Sequence, residues 1–315
     1  MTQKMRIVLV GPGALGCLLA SVIARGVLDS GDEFTILDHN SSRADLLTTQ
    51  GIVYLKDDQR RSISVRVSAD PRKIGPADII IICVKSYNVD DSLTFCTPLF
   101  HNGTMVVFLQ NGISHLALKN IPADINTAYG TTTEGATLLA AGHVIHAGSG
   151  ITHLGFLTKP SSRPQQLLQK LRNIFLRGNL NVQLTDDIIV RLWAKLFINI
   201  GINALTATLD CKNGELLTIT GVQKQMDKAI KEAILVARAK GIPIITPPLQ
   251  AARTVCLKTA DNISSMLQDV RRKRRTEIDA INGAIITLAQ EFNIDTPENN
   301  RLYQRIKKIE ENYSA

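Results

Sequence analysis

The sequence contains few aromatic residues, no closely spaced pair of cysteines and no long uninterrupted apolar run. Its five cysteines are odd in number and widely scattered, with no CxxC or zinc-ligand spacing, so we expect reduced thiols, a cytoplasmic protein and no metal site. No apolar run reaches the roughly 18 residues that span a bilayer. Residues 1–6 lead directly into an apolar strand without a cleavage site, so no secretory signal is predicted.

Acidic residues are fewer than basic ones, and the formal net charge is +8. This excess suits either a nucleic-acid-binding protein or an enzyme that uses anionic small molecules. The densest basic run, residues 271–275, contains no aromatic residue, and aromatics make up only 4% of the chain. RNA-binding surfaces usually add stacking rings or a recognisable module. We therefore interpret this run as a solvated helical face and expect no nucleic-acid or membrane partner.

What the sequence does contain is a glycine-rich turn between an apolar strand at residues 5–10 and a helical pattern. In such turns the first glycine allows a tight turn, the second lets backbone approach a pyrophosphate, and the third lets helix pack on strand. The following helix N-terminus presents N–H groups to phosphates. The turn predicts dinucleotide binding by Gly11, Pro12, Gly13, Ala14, Leu15 and Gly16.

The residues after the second predicted strand, 33–37, give two conflicting indications of the cofactor. Asp38 lies about twenty residues beyond the glycine turn, where a carboxylate would accept a hydrogen bond from the ribose 2′-hydroxyl of NAD. Arg43 would instead pair with the 2′-phosphate of NADP. Both cofactors stay open at this point.

Further apolar stretches predict the rest of an α/β domain. Two buried strands are predicted at 77–84 and 104–109. They are followed by Lys85 and Asn111, at the sheet edge where ligands of such folds bind. Strands at 51–55 and 63–67 flank a polar turn at 57–60, and short strands fill 125–155. A helix at 165–177 and a strand at 182–184 complete the domain. Three histidines have no helical metal-ligand spacing, and we expect no acidic partner near them, so we interpret them as structural or surface residues: His143, His146 and His153.

From residue 187 the periodicity is helical throughout. We expect helices at 187–209, 214–241, 247–257, 261–292 and 298–312. The predicted architecture is an α/β Rossmann-type N-terminal domain over residues 1–186 and an all-α C-terminal domain over residues 187–315.

The helix at 187–209 is apolar almost all round, yet it carries Lys195, Asn199 and Asn203 at steps of four residues. At roughly 100° per residue, each step of four leaves neighbours about 40° apart around the helix axis. One ammonium and two amides therefore line one stripe of a helix expected to be buried. Such a stripe meets either neighbouring backbone or a ligand. In the same way, the serine pair at 264–265 is by default a helix cap.

Taken together, these segments resemble the ketopantoate reductase family over nearly the whole chain. The most specific part is the combination of the Lys195 helix with the segments around Ser265 and Glu277. The matching motifs lie at residues 11–16, 84–85, 111–112, 130–133, 192–196, 199, 202–203, 205–207, 213–215, 264–269, 276–279 and 281–283.

The resemblance implies NADPH-dependent reduction of ketopantoate to D-pantoate, in pantothenate and coenzyme A biosynthesis. We expect a monomer or a homodimer. The resemblance also implies a general acid, Lys195, supported by an acidic residue at the nicotinamide ribose, Glu277. The implied substrate ligands are Asn199 and Asn203 for hydroxyl groups, Ser265 for the carboxylate, and Asn111, which also lies near the cofactor. Lys85 is implied on the cofactor side.

The acid role has a chemical reason. Hydride addition to a carbonyl carbon leaves negative charge on oxygen, and an ammonium supplies both opposite charge and a proton. Burial lowers the pKa of such a lysine, whereas a nearby Glu277 raises it.

One departure from the family pattern concerns the cofactor. Family members usually carry an arginine directly after the second strand, where this chain has Asp38 and His39. NADH use is therefore possible. A reductase of another small 2-oxo acid, or a non-catalytic nucleotide sensor that uses residues 271–275, are the alternatives.

Overall fold

The computed structural model describes residues 4–28, 30–57, 59–118 and 120–313. The expectation for residues 1–3 and the Asp58 part of the predicted polar turn lie outside these ranges. The chain forms two compact units. The first comprises Met1–Gln110 and Leu118–Ile188, and the second comprises Asn111–Ala117 and Ile189–Ala315.

The main sheet of the first unit is built on short, almost wholly buried strands rich in branched residues, such as Ile79–Ile82. Its strands are β1 (Arg6–Val10), β2 (Glu33–Leu37), β5 (Val67–Ser68), β6 (Ile79–Ile82), β7 (Met105–Phe108), β8 (Asn126–Thr132), β11 (Thr152–Gly155) and β12 (Val182–Leu184). Their order is β12-β11-β8-β7-β6-β1-β2-β5. All neighbours are parallel except β11 and β8. This confirms the Rossmann-like fold.

The helices of the first unit are α1 (Ala14–Gly26), α2 (Ser41–Gln50), α3 (Val89–Phe95) and α4 (Ser162–Arg177). Helix α1 follows β1 through the glycine turn, as the sequence predicts. Its central part is buried from Gly16 to Ile23 and forms part of the core of the unit.

A second sheet in this unit has the order β4-β3-β10-β9. Its strands are β3 (Ile52–Lys56), β4 (Gln59–Ile63), β9 (Gly135–Ala140) and β10 (His143–Gly148). The chain reverses at Asp57, which has φ +46° and lies in the predicted turn at 57–60, but the predicted strand at 63–67 is wrong, because the second strand already begins at Gln59 and ends at Ile63. Arg60 and Arg61 then extend along an exposed edge strand, which is why this stretch looks like a polar turn in sequence.

The expectation that the histidines lack an acidic partner is wrong for His146. Its imidazole is buried, with Nε2 2.5 Å from a carboxylate oxygen of Glu134. Its Nδ1 lies 2.6 Å from the hydroxyl of Tyr54. The partner comes from the turn before β9, twelve residues away. His146 is therefore a structural residue that joins β3, β10 and this turn.

The second unit is helical. Its helices are α5 (Ile188–Leu209), α6 (Val222–Ala239), α7 (Pro248–Lys258), α8 (Ser265–Arg271), α9 (Asn282–Glu291) and α10 (Pro297–Glu311). Short 3-10 turns occupy Ser114–Ala117, Gly214–Leu217 and Ile278–Ala280.

Two predicted helices are interrupted. The helix expected at 214–241 begins only after Gly221, which has φ +81° and ends the preceding turn. The helix expected at 261–292 divides into α8, a 3-10 turn and α9, because α8 ends at Arg271 and Lys273 turns left-handed at φ +50°. Residues 272–275 are therefore not a helical face. Arg271 instead pairs with Asp210 at 2.7 Å.

The sequence predicts no apolar run long enough to span a bilayer, but helix α5 meets a less strict criterion. Although polar residues interrupt it, Ile188–Leu209 is long and apolar enough to cross a membrane by length and composition alone. Of its most apolar window, 67% is buried inside the protein. Burial of this kind is typical of the core helix of a globular domain.

Candidate functional site

The glycine turn of the first unit has the geometry that its sequence predicts. Gly11 has φ +90°, and a Cβ there would lie 2.6 Å from Cγ1 of Val84. A Cβ on Gly16 would lie 2.0 Å from the carbonyl oxygen of Gly11, so helix and turn pack too closely for any side chain. A Cβ on Gly13 would meet nothing within 4 Å. The exposed backbone of Gly13 and the start of α1 therefore fit a bound pyrophosphate.

The remaining turn residues support this shape. The carbonyl of the buried Pro12 accepts a hydrogen bond from Sγ of Cys17 at 3.3 Å. Ala14 and Leu15 are half-buried and form the first residues of α1.

Asp38 and Arg43, which the sequence presents as competing indications, are bonded to each other. The fully buried carboxylate of Asp38 accepts Nη2 of Arg43 at 2.6 Å, and its other oxygen accepts Nε of the same side chain. It also accepts the backbone N–H of Asn40 at 3.1 Å. This hydrogen bonding raises the pKa of Arg43. The pair carries no net charge, and its acid is already occupied by hydrogen-bond donors.

Lys85 and Asn111 follow adjacent strands, but they belong to different units. Lys85 is half-buried and precedes the short 3-10 turn Ser86–Asn88 of the first unit. Gln110, the last residue of its segment in the first unit, donates from Nε2 to the carbonyl of Ile82 at 2.8 Å. Asn111 begins a short segment of the second unit.

In the second unit, Asn111 joins the predicted acid to the predicted acidic residue. Nζ of Lys195 donates to Oδ1 of Asn111 at 2.9 Å. Nδ2 of Asn111 donates to Oε2 of Glu277 at 3.0 Å. Glu277 is buried, with only 5% of its surface exposed. The structure thus joins three predicted site residues in one hydrogen-bonded series. The Asn111 amide accepts from Lys195 through its oxygen and donates to Glu277 through its nitrogen.

Two opposing effects determine the pKa of Lys195. Burial disfavours the ammonium and lowers its pKa to about 8, although the negative charge of Glu277 acts in the raising direction. Desolvation is the larger effect. The result is an amine that gains and loses its proton near physiological pH, as an acid catalyst requires.

The backbone beneath Asn111 is fixed by the 3-10 turn that contains Ala280. Gly112 has φ +76°, and a Cβ there would lie 2.1 Å from the carbonyl oxygen of Ala280. The same carbonyl accepts the N–H of Ile113 at 3.2 Å. Gly112 is therefore required for the close approach that holds Asn111 beside Glu277.

His115 is a nearby residue that sequence reasoning missed. It lies in the 3-10 turn Ser114–Ala117 and is almost fully buried. Burial lowers its pKa to about 4, while Glu277 acts to raise it. The imidazole is thus neutral at physiological pH. No local pattern marks the residue, because its burial depends on residues far away in the chain.

Asn199 and Asn203 follow Lys195 on α5 at successive turns. Asn199 is half-buried, and Asn203 is 5% exposed. Neither side-chain amide forms a hydrogen bond to a residue in the described part of the chain. Because the described part of the protein uses neither amide, both are suited to binding a polar ligand.

Ser265 is the exposed first residue of α8. The expected cap is Ser264, whose hydroxyl accepts the N–H of Leu267 at 3.1 Å. The serine pair therefore divides its roles: Ser264 caps the helix, and the hydroxyl of Ser265 is accessible.

Comparison with known proteins identifies the family to which the chain is similar. The ketopantoate reductase PanE/ApbA family model matches residues 7–159, and the corresponding C-terminal model matches residues 187–310. A 2-dehydropantoate 2-reductase of Halobacterium salinarum is 33% identical over 298 residues, which cover 93% of this chain and 95% of the relative. The enzyme of the same name from Pyrococcus horikoshii is 31% identical over 97% of this chain and 98% of its own.

Solved structures similar to this chain include a member of the same family. A PanE/ApbA family ketopantoate reductase from Ralstonia eutropha has a TM-score of 0.87 and 26% identity, covering 99% of this chain and all of the other. A D-mandelate dehydrogenase with NADH and anilino(oxo)acetate has a TM-score of 0.89 and 25% identity over the same shares. The chain therefore belongs to the ketopantoate reductase family.

Proposed function

We propose that the protein reduces ketopantoate to D-pantoate with a nicotinamide cofactor and that Lys195 is the general acid. The observation that carries this proposal is the hydrogen-bonded chain of Lys195, Asn111 and Glu277. The proposed substrate is taken from the names of the relatives. The proposed proton donor is Lys195, whose pKa suits that role.

The role of Lys195 follows from charge. As the ketone is reduced, negative charge develops on its oxygen, and an ammonium within hydrogen-bond distance stabilises that charge and then donates its proton. Asn111 holds the amine in a fixed orientation through Oδ1. Glu277 acts through its charge, which favours the protonated amine.

Substrate binding is assigned to four polar side chains of the second unit. Asn199 and Asn203 offer amides that are not used by the described part of the protein, and these suit the hydroxyl group of the substrate. The exposed hydroxyl of Ser265 suits its carboxylate. Asn111 completes the set beside Lys195.

The cofactor is assigned to the glycine turn, Gly11 to Gly16, together with Asp38, Arg43 and Lys85. The bound nicotinamide would supply the hydride. Because Arg43 neutralises Asp38, the site neither strongly repels a 2′-phosphate nor offers a free acid to a 2′-hydroxyl. We therefore propose that NADPH is the preferred cofactor and that NADH is also used. Asn111 and Glu277 are the proposed cofactor-side residues of the second unit.

The same proposal describes a cytoplasmic monomer or homodimer that acts on a small molecule without a nucleic-acid or membrane partner. A second candidate function is reduction of another small 2-oxo acid. The similarity to a D-mandelate dehydrogenase specifically favours it, because that protein was solved with NADH and anilino(oxo)acetate.

The test is an absorbance assay at the nicotinamide band. Purified protein is mixed with NADPH or NADH and with either ketopantoate or an aryl 2-oxo acid. We expect the highest kcat/KM with ketopantoate and NADPH. A higher kcat/KM for the aryl acid would favour the second function, and no turnover with any combination would contradict the enzymatic assignment.

A further inference from the structure

Two buried hydroxyl groups connect the helix that carries the proposed acid to the start of α8. Thr206 lies on α5 and is fully buried, and Ser264 is 6% exposed. Their oxygens are 2.7 Å apart, a short hydrogen bond between residues 58 positions apart in sequence. Oγ1 of Thr206 also lies 2.9 Å from the carbonyl oxygen of Ile202. Oγ of Ser264 accepts the N–H of Leu267.

Each hydroxyl has a single proton, so the bonds must form a directed series. The hydroxyl of Thr206 donates to Oγ of Ser264, and the same oxygen accepts the N–H of Leu267. Thr206 also lies 3.0 Å from the carbonyl of Asn203, which is an alternative acceptor. These bonds join the first turn of α8 to Thr206, which lies about one helical turn after Asn203 on α5.

Neither residue needs this connection for local stability. A cap requires only the bond from Ser264 to Leu267. A helical threonine can satisfy its hydroxyl within its own helix, as Thr208 does with the carbonyls of Ala204 at 2.8 Å and Leu205 at 3.0 Å. The bond between helices is additional to these requirements.

Thr206 and Ser264 lie close in sequence to two residues proposed to bind the substrate. Asn203 precedes Thr206 by three residues on α5, and Ser265 follows Ser264. We propose that Thr206 and Ser264 are positioning residues that hold the Asn203 amide and the Ser265 hydroxyl at the spacing required by a 2-oxo acid with its hydroxyl group. This inference rests on the proposed function.

The test uses Thr206→Val, which keeps the shape of the side chain but removes the hydroxyl. Thr206→Ser restores the hydroxyl, and Thr208→Val is the matched control on the same helix. We expect Thr206→Val to raise KM for ketopantoate roughly tenfold, a binding loss typical of disturbed hydrogen bonds, with kcat changed less than about threefold. NADPH affinity should not change, and both Thr206→Ser and Thr208→Val should retain a KM near the wild-type value.

Amide hydrogen exchange of Leu267 gives a readout independent of turnover, and Thr206→Val should accelerate it. Unchanged exchange would overturn the connection itself. Faster exchange with an unchanged KM, or an equal rise of KM in Thr208→Val, would overturn the positioning role. Wild-type protein that does not reduce ketopantoate would instead overturn the proposed function, before any variant is compared.

Discussion

Nζ of Lys195 donates a hydrogen bond to Oδ1 of Asn111 at 2.9 Å, across 84 positions of sequence. Because the Nδ2 group of the same amide donates to Glu277, the amide cannot rotate without losing a bond at both ends. Asn111 therefore fixes the direction of the amine, while Glu277 affects its proton affinity. Orientation and acidity are controlled by different residues, so they can be tested separately.

Removal of the Lys195 amine should greatly slow ketone reduction without preventing cofactor binding. We expect Lys195→Ala to lower kcat by roughly 10²–10⁴-fold, the usual contribution of a positioned acid, with NADPH affinity little changed. Steady-state kinetics and fluorescence titration with NADPH measure the two effects. Lys224→Ala, at an exposed lysine of α6, is the control. Near-normal turnover of Lys195→Ala would refute the acid role.

Neutralising Glu277 should change the pH profile. Its negative charge acts to raise the pKa of Lys195, so Glu277→Gln removes that effect and the pKa falls below about 8. The protonated amine is then lost at lower pH, and the alkaline decline of the kcat/KM for ketone reduction should move to lower pH. A decline that moved to higher pH would contradict this account.

Gly112 should tolerate no side chain. Gly112→Ala places a Cβ against the carbonyl of Ala280, whereas Gly241→Ala, at a similar φ of +72°, meets nothing within 4 Å. The backbone strain, about 1–2 kcal/mol, is common to both variants. We expect Gly112→Ala to lose more free energy of unfolding than this and at least about tenfold in kcat/KM. Urea denaturation and kinetics test this, and equal losses in the two variants would contradict it.

Asp38 should control the choice of cofactor through Arg43. Asp38→Asn removes the carboxylate that holds the guanidinium, so Arg43 becomes available to a 2′-phosphate. We expect the ratio of kcat/KM for NADPH over NADH to rise roughly tenfold, which corresponds to about 1.4 kcal/mol. Asp45→Asn, at an exposed position of α2, is the control. A fall in the ratio would show that Asp38 serves NADPH binding directly.

The features that the sequence predicts well are those with local causes. The glycine turn follows from steric needs within a few residues, and strand β2 from its residues of high strand propensity, Phe34, Thr35 and Ile36. The polar stripe of α5 follows from helical periodicity alone. The family resemblance, which the comparisons confirm, adds the roles of Lys195 and Glu277 as predictions.

The features that the sequence does not predict depend on distant contacts. Asn111 follows a strand of the first unit, yet it belongs to the second, because its amide bonds to residues 84 and 166 positions away. The bond between His146 and Glu134 depends on how β9 and β10 fold together. The break at Lys273 interrupts a sequence that is otherwise suited to a helix, and no local residue type signals it.

The central claim is that Lys195 donates the proton, and the pH dependence of ketone reduction tests it most directly. With ketopantoate and NADPH, kcat/KM should be constant at lower pH and decline above an apparent pKa of about 8, because the amine then loses its proton. The reverse oxidation of pantoate should rise through the same pKa, since it requires the neutral amine. A forward rate that stays constant up to pH 10, or rises with pH, would contradict the account.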